Sequence, residues 1–259
     1  LDAAKLLEPA FERYQGINGR LSMQTDPRLA RSAKKLADQA EYFSGLAENI
    51  IVKVPAIATG VEAIEDATYR GVSINVTVSF TVAQAVATGE AIERGLKRRE
   101  AEGLDISTMG PVVTIMVGRL DDWIKESYNR VKAVFDPGYL EWCGVAAFKK
   151  AYQIFQERGL RARLLSAAFR NTLHWSPFGW QKRIQASDLT AEDRMHIPVR
   201  PEILEALSTL EEFRKAYDVD GLTPAQFLDF GATRKTLRQF LGADEELDQI
   251  VRDILIPAP

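Results

Sequence analysis

The sequence is poor in the residues that form disulfides and metal sites. Among 259 residues it has one cysteine, Cys143, and two histidines, His174 and His196. A single cysteine cannot form an internal disulfide, and two histidines leave little material for a histidine metal site or a serine–histidine–aspartate triad. We therefore expect no metal, and we expect Cys143, which lies in a helical pattern, to serve packing.

The sequence also has no large excess of positive or negative charge and no long apolar run. The 33 basic and 36 acidic side chains give a net charge of −3, which argues against nucleic acid or an anionic membrane as the main partner. The longest apolar runs, such as residues 111–118, are far too short to span a bilayer. No signal peptide is recognisable, so the sequence predicts a soluble, cytoplasmic protein.

Short apolar segments alternate with long helical patterns along the chain. The predicted strands cover residues 19–25, 49–55, 71–79, 112–118, 161–169 and 193–199. The predicted helices cover residues 27–48, 61–70, 82–103, 120–159 and 202–217, and two or three more follow between 222 and 256. Several strands are apolar on both faces, which is typical of strands covered by helices. This alternation predicts an α/β fold with a parallel sheet.

The glycine-rich loops of nucleotide-binding folds, GxGxxG and GxxxxGK[ST], are missing. Nearly every predicted strand instead carries a polar residue, which favours a (β/α)8 TIM barrel, because a barrel site collects side chains from several strand ends. Six strands are predicted where such a barrel has eight, and the chain opens inside an amphipathic helix pattern. We therefore expect a single barrel domain over residues 1–259, with its first two strands outside this sequence and with helices 222–256 packed on the barrel.

Lys53 is the most distinctive residue for chemistry. It lies in the middle of the apolar segment IIVKVP. Burial disfavours the ammonium ion and lowers the pKa of a lysine, which produces the neutral amine that a Schiff-base nucleophile requires. The alternative is a lysine whose charged end extends from the strand into solvent, and the pattern by itself leaves both open.

Polar side chains on neighbouring predicted strands are spaced to join Lys53. Residues two apart on a strand share a face, and polar groups facing into a barrel are costly unless they are hydrogen-bonded or contact a ligand. Singly, each has an ordinary structural explanation, but together they predict a site. The same-face sets are Ser22 with Gln24, Asn75 with Thr77, Thr114 with Met116 and Gly118, and Ser166 with Ala168 and Arg170.

Two arginines follow predicted strands, at the end where an α/β barrel opens its active face. Arg119 and Arg170 are suited to bind a phosphate or another dianion through bidentate contacts. The alternative is a pair of surface ion pairs, for example between Arg119 and Asp121 or Asp122. An aromatic and basic segment follows, with His174, Trp175 and residues 180–183, and the sequence assigns it no function.

Six segments carry a pattern that extends over nearly the whole chain. They are GRLSMQTDPRL (19–29), IVKVPA (51–56), GVSINVTVSFTVAQA (71–85), VGRLDDW (117–123), AFRN (168–171) and FGATRKTLRQF (230–240). In this order they resemble the transaldolase family of class I aldolase barrels. The resemblance implies transfer of a dihydroxyacetone unit from a ketose phosphate to an aldose phosphate, as in the pentose phosphate pathway.

The resemblance also implies roles for particular residues. Lys53 corresponds to the Schiff-base lysine, and Thr77 to the threonine that holds the catalytic water. No cofactor is implied, since the lysine imine itself acts as the electron sink. The resemblance implies sugar phosphates as partners and allows a homodimer. The catalytic set is then Lys53, Gln24 and Thr77, and the substrate-binding set is Asn75, Thr114, Met116, Arg119, Ser166 and Arg170.

Some positions depart from the family pattern. Gln24 occupies a position where transaldolases carry a glutamate and fructose-6-phosphate aldolases a glutamine. Met116 replaces an aromatic residue, Ala168 replaces a serine, and the acid/base aspartate of the family's first strand is outside this sequence. These departures keep open an aldolase or a sulfosugar enzyme of the same mechanism, and a non-catalytic barrel. We further expect residues to be missing around 175–180, where related chains have a longer loop.

Overall fold

A computed structural model describes residues 1–174 and 195–256 of the chain. Neighbouring strands in these ranges are all parallel, and their spatial order is their order along the chain. A doubly wound sheet reverses its order at a switch point, whereas a (β/α) barrel does not. The sheet therefore has the strand order of a (β/α) barrel, as predicted. The described strands are β1 (Leu21–Gln24), β2 (Ile50–Pro55), β3 (Ile74–Thr77), β4 (Val112–Ile115) and β5 (Arg163–Ser166).

Helices connect these strands and continue after the last of them. The described α-helices are α1 (Asp2–Arg13), α2 (Ala33–Ser44), α3 (Ala58–Tyr69), α4 (Val82–Ala101), α5 (Val117–Val131), α6 (Cys143–Arg158), α7 (Pro201–Ser208), α8 (Glu211–Tyr217) and α9 (Gly231–Leu255). Short 3₁₀ helices cover Pro27–Leu29, Pro137–Trp142, Thr172–His174 and Pro224–Asp229. None of the described helices is long and apolar enough to cross a membrane.

The structure differs from the predicted elements at three places. The described part of the sixth predicted strand, residues 195–199, forms turns and irregular chain, and Pro198 there has no N–H for a sheet. The predicted helix 120–159 is two helices, because Lys132 ends α5 in a left-handed conformation (φ 51°) before the 3₁₀ turn that starts at Pro137. The predicted tail helices include one continuous helix, α9, which passes through Gly242.

The core lies between the sheet and its covering helices. Val52 and Val54 of β2, Ile74 and Val76 of β3, and Ile115 of β4 are all fully buried on this side. Burying such a side chain contributes about 1.5–3 kcal/mol, so this face holds the strands and helices together. The opposite face of the same strands carries the polar residues, as the alternation along each strand requires.

The sheet curves strongly around its polar face. Asn75 of β3 donates a hydrogen bond from Nδ2 to Oγ of Ser22 on β1, at 3.1 Å, although β2 lies between these strands. In a flat sheet, strands two apart are separated by about 9–10 Å, which is too far for these two short side chains. The polar face is therefore concave, like the inside of a barrel.

A buried amide, Gln84, holds the carboxyl ends of β2 and β3 together. Its Nε2 donates to the carbonyls of Ala56 (2.8 Å) and Val78 (3.2 Å), while its Oε1 accepts the N–H groups of Phe80 and Thr81. Val78 has a left-handed conformation (φ 52°), which is strained for a β-branched residue. Gln84 thus supplies hydrogen-bond partners to the backbone of the strained turn at Val78, at the carboxyl edge of the concave face.

Candidate active site

Lys53 lies at the centre of the concave face. In the sheet register it is the direct neighbour of Gln24 on β1 and of Asn75 on β3. Its side chain is half-buried, and burial lowers the pKa of its amine. Among the described residues, no hydrogen bond or ion pair to Lys53 Nζ is found that would hold the ammonium form. The site therefore shifts the equilibrium of Lys53 toward the neutral amine, the nucleophilic form of lysine.

Asn75 joins three strands next to Lys53. Its Nδ2 donates to Ser22, and its Oδ1 accepts the hydroxyl of Thr114 at 2.7 Å. In this arrangement the N–H groups of the amide point toward β1 and its oxygen points toward β4. The sequence predicted Asn75 and Thr114 for the site, and the structure brings both together with Ser22.

Gln24 and Thr77 lie on the same face at the carboxyl end of their strands. Gln24 Nε2 makes long contacts with the carbonyls of Thr25 (3.3 Å) and Lys53 (3.4 Å). Thr77 is buried and pairs with Pro55 in the register, two residues beyond the pairing of Asn75 with Lys53. The structure therefore brings Gln24, Lys53, Asn75, Thr77 and Thr114 to one surface.

Of two further predicted substrate-binding residues, Ser166 lies on the other face of the sheet and Met116 follows β4. Ser166 pairs with Ile115, so its side chain is on the helix-facing side of the sheet, opposite Thr114. There its hydroxyl donates to the carbonyl of His174. Met116 is not a strand residue: it caps α5, and its carbonyl accepts the N–H of Arg119. The shared face expected for Ser166, Ala168 and Arg170 is not observed, because the register turns Ser166 toward the helices and β5 ends at Ser166.

Arg119, in the first turn of α5, reaches toward α9. Its guanidinium donates to Thr236 (3.2 Å) and to Gln239 (2.5 Å). Burial and the positive charge of Arg170 both lower the pKa of Arg119. An anion that contacted both guanidiniums would be stabilised by both positive charges.

Arg170 is held by groups of both α5 and its own turn. Its guanidinium forms an ion pair with Asp122, at 2.8 Å, and donates to the carbonyl of Ala168 at 3.0 Å. The sequence analysis considered Asp122 as a partner of Arg119, but in the structure it pairs with Arg170. Arg119 and Arg170 follow β4 and β5, so both lie at the carboxyl edge of the sheet, where barrel sites are formed.

A buried pair behind Arg170 was not predicted for the site. His174 Nε2 and Asp121 Oδ2 are 2.6 Å apart, and both side chains are inaccessible to solvent. The sequence contained both residues but gave no signal for their pairing, since they are 53 positions apart. Cys143 is buried nearby, and burial raises the pKa of its thiol, which agrees with packing. The aromatic and basic segment from Trp175 onward lies outside the described residues.

This pair and the neighbouring Glu141 come close enough together to be considered as metal ligands. Ligand atoms of Asp121, Glu141 and His174 lie within 4.8 Å of one another. However, Lys125 and Asn171 donate to the two carboxylate oxygens of Glu141. The 2.6 Å separation of Asp121 and His174 is a hydrogen bond and leaves no room for an ion between them. The arrangement is better explained by protein hydrogen bonds than by a metal.

The reaction of Lys53 with a ketone is predicted to rise with pH and to level off at a lower pH than for an ordinary lysine amine. Burial lowers the pKa of Lys53, so the neutral amine forms at lower pH. The measurement is the rate at which cyanoborohydride traps dihydroxyacetone on the protein, from about pH 6 to about pH 10. A free lysine derivative is the control, and a protein profile that coincides with it would contradict a lowered pKa.

A (β/α) barrel with a single strand lysine among polar side chains on its concave face is an arrangement typical of class I aldolase barrels. A family model described as transaldolase/fructose-6-phosphate aldolase matches residues 1–219. The chain belongs to this transaldolase/fructose-6-phosphate aldolase family.

Curated relatives give the same result over a shorter range. The chain is 35% identical to a transaldolase of Thiobacillus denitrificans over 158 residues, which cover 60% of this chain and 44% of that protein. It is 30% identical to a transaldolase of Thermobifida fusca over 168 residues, which cover 64% of this chain and 46% of the relative. The matched part thus spans less than half the length of these relatives.

Proposed function

We propose that this protein is a transaldolase that uses Lys53 to move a dihydroxyacetone unit between sugar phosphates in cytoplasmic carbohydrate metabolism. The observation that carries the proposal is the half-buried Lys53 on the concave face, with a lowered pKa and with Asn75 and Gln24 as its neighbours. Membership of the family supports the same reaction class. A fold alone would not, since one fold hosts many activities.

The first half of the reaction uses Lys53 as nucleophile. The neutral amine attacks the C2 ketone of a ketose phosphate, and loss of water from the carbinolamine gives an iminium ion. Asn75 Nδ2 donates one of its two protons to Ser22, and its second proton is assigned to bind donor hydroxyls. Thr77, on the same face, is assigned to hold the water that is lost and later returns.

The second half breaks and forms a carbon–carbon bond. A base takes the proton of the C4 hydroxyl, the C3–C4 bond breaks, and its electron pair moves through the iminium to give an enamine on Lys53. The enamine carbon C3 attacks the aldehyde of the acceptor, whose oxygen takes a proton. Water then hydrolyses the new imine. None of the five strands in the described part of the chain carries Asp or Glu, so the base is assigned to a residue outside these strands.

The two arginines are assigned to the phosphate group. Arg119 and Arg170 lie at the carboxyl edge of the sheet, and burial, together with repulsion from Arg170, lowers the pKa of Arg119. A phosphate dianion bound by both would remove that repulsion and gain charge-assisted hydrogen bonds. Met116 and Ser166, which were predicted to bind substrate, are not assigned a contact in this scheme.

The proposal is tested by the requirement for an acceptor. With fructose 6-phosphate as donor, release of glyceraldehyde 3-phosphate is expected to continue only when erythrose 4-phosphate is present. Without an acceptor, one equivalent per site is expected, because the enamine stays on the lysine. Continuous turnover without acceptor would identify an aldolase. Absence of both reactions, and of an imine with a panel of ketoses, would favour a non-catalytic barrel.

The aldolase is the second candidate, and Gln24 is the residue that favours it. A neutral amide occupies the position beside Lys53 where a carboxylate would act as a stronger base toward water. The same assay, repeated with Gln24→Glu, compares the two directly. We expect the change to alter the rate of enamine release as free dihydroxyacetone, and to leave formation of the imine intact.

A further inference from the structure

The backbone of Arg170 is held by a side chain that has no place in the scheme above. The N–H of Arg170 donates to Nδ1 of His174 at 2.8 Å. The carbonyl of His174 in turn accepts the hydroxyl of Ser166 at 3.1 Å. His174 is therefore bonded both to Ser166 at the end of β5 and to the backbone of Arg170 in the turn that follows.

The hydrogen bonds of His174 define its tautomer. Because Nδ1 accepts an N–H, it carries no proton, and the ring proton is on Nε2. That proton is donated to Asp121 Oδ2 at 2.6 Å. The other oxygen, Oδ1, accepts the N–H of Gly144 at the start of α6, at 2.7 Å. Asp121 thus uses both oxygens as acceptors, and only a carboxylate offers both.

The turn needs this support because its backbone is strained and closely packed. Ala168 has a left-handed conformation (φ 61°), which is unfavourable for a residue with a Cβ. Gly118 of α5 lies against the same turn: a Cβ there would be 2.1 Å from the carbonyl oxygen of Ala168 and 2.8 Å from Cγ of Arg170. The turn thus depends on contacts with α5 and with His174 to keep this conformation.

We propose that the buried Asp121–His174 pair is a positioning device that fixes the backbone of Arg170 and so aims its guanidinium at the substrate phosphate. Asp121 selects the histidine tautomer, and the histidine accepts the N–H of Arg170. The inference rests on the proposed function for the identity of the substrate. Its physical content, an anion site organised by His174, does not depend on the lysine chemistry.

Two substitutions of His174 separate positioning from packing. His174→Asn keeps an acceptor near the place of Nδ1 and loses the contact with Asp121. His174→Gln reaches Asp121 with its Nε2 but offers no acceptor to Arg170. Glutamine is closer to histidine in size, so a packing role predicts that Gln is the better replacement. The positioning role predicts the opposite order.

The measurement is the rate of borohydride trapping with fructose 6-phosphate relative to dihydroxyacetone, which has no phosphate. At concentrations below saturation, this ratio is expected to fall about tenfold or more in His174→Gln and about threefold or less in His174→Asn. Trapping of dihydroxyacetone is expected to change little in both. In an Arg170→Ala background, His174→Gln is expected to cause no further fall.

Asp121→Asn provides an independent variant. Its single amide oxygen cannot accept from both Gly144 and His174, so the histidine tautomer is released and the ratio is expected to fall about tenfold. Thermal melting of each variant checks that it is folded. Equal ratios in His174→Gln and in the wild type, or a larger fall in His174→Asn, would overturn the proposal.

Failure of the proposed function gives a different result. If the wild type traps neither ketose, the lysine chemistry is wrong, and binding of inorganic phosphate, measured by titration calorimetry, becomes the readout. A dissociation constant for phosphate about tenfold larger in His174→Gln than in His174→Asn would still support the positioning role of His174. Equal phosphate binding in the two variants and the wild type would overturn it.

Discussion

Replacement of Lys53 by methionine is expected to lower turnover by about four orders of magnitude or more, because the nucleophile that forms the covalent intermediate is removed. Methionine has a similar length and no amine, so the neighbouring Asn75 and Gln24 keep their space. The measurement is release of glyceraldehyde 3-phosphate from fructose 6-phosphate in the presence of an acceptor. Residual turnover close to that of the wild type would show that another residue is the nucleophile.

The same variant is expected to be folded and at least as stable as the wild type. Burial lowers the pKa of Lys53 in the folded protein, so at pH values below that pKa the folded state bears a penalty for holding the ammonium ion. The penalty disappears as pH rises above the pKa of the unfolded chain. Lys35→Met, on the exposed face of α2, makes the same chemical change away from the site and is expected to leave turnover unchanged.

Replacement of Gln84 by leucine is expected to lower the free energy of unfolding by about 4 kcal/mol, because several buried backbone groups lose their partner at once. The N–H groups of Phe80 and Thr81 and the carbonyls of Ala56 and Val78 all bond to this one side chain. Unfolding by urea, followed by circular dichroism, measures the loss.

Gln153→Leu is the matched control for this change. Gln153 is exposed on α6, where its side chain bonds Glu157 one turn away. Its replacement is expected to change the free energy of unfolding by less than about 0.5 kcal/mol. A loss of similar size in both variants would mean that the buried amide contributes no special stability. Gln84→Glu is expected to be destabilising as well, because its carboxylate would face the carbonyl oxygens of Ala56 and Val78.

The central strands could be predicted because their polar residues lie on one face only. In INVT the alternation is strict, and in IIVKVP Lys53 is the single polar residue, on the same face as Asn75. The parallel pairing of Lys53 with Asn75 follows once the two strands are neighbours. Local pattern is sufficient here because the side-chain period of a strand is two.

The last strands could not be predicted in the same way. In the segment LLSAAF both faces are apolar or small, so nothing fixes the register, and a one-residue difference moves every side chain to the other face. Ser166 accordingly lies opposite Thr114. The run VVTIMV likewise favours a strand through position 118, yet α5 already begins at Val117.

Contacts between distant residues were also beyond the sequence pattern. Asp121 and His174 are joined only by the packing of the β5 turn against α5 and α6. Arg119 meets Thr236 and Gln239 of α9, more than 100 positions away. The segment FGATRKTLRQF contains both partners and was recognised as part of a family pattern, but its contact with Arg119 depends on the fold.

The most direct test of this account is reduction of the intact protein with borohydride in the presence of fructose 6-phosphate, followed by mass spectrometry and peptide mapping. The account predicts one stable adduct per chain, carrying a dihydroxyacetone unit on the peptide that contains Lys53, and no adduct in Lys53→Met. An adduct on a different lysine would contradict the assigned site. If neither fructose 6-phosphate nor dihydroxyacetone gave an adduct, the lysine-imine mechanism itself would be contradicted.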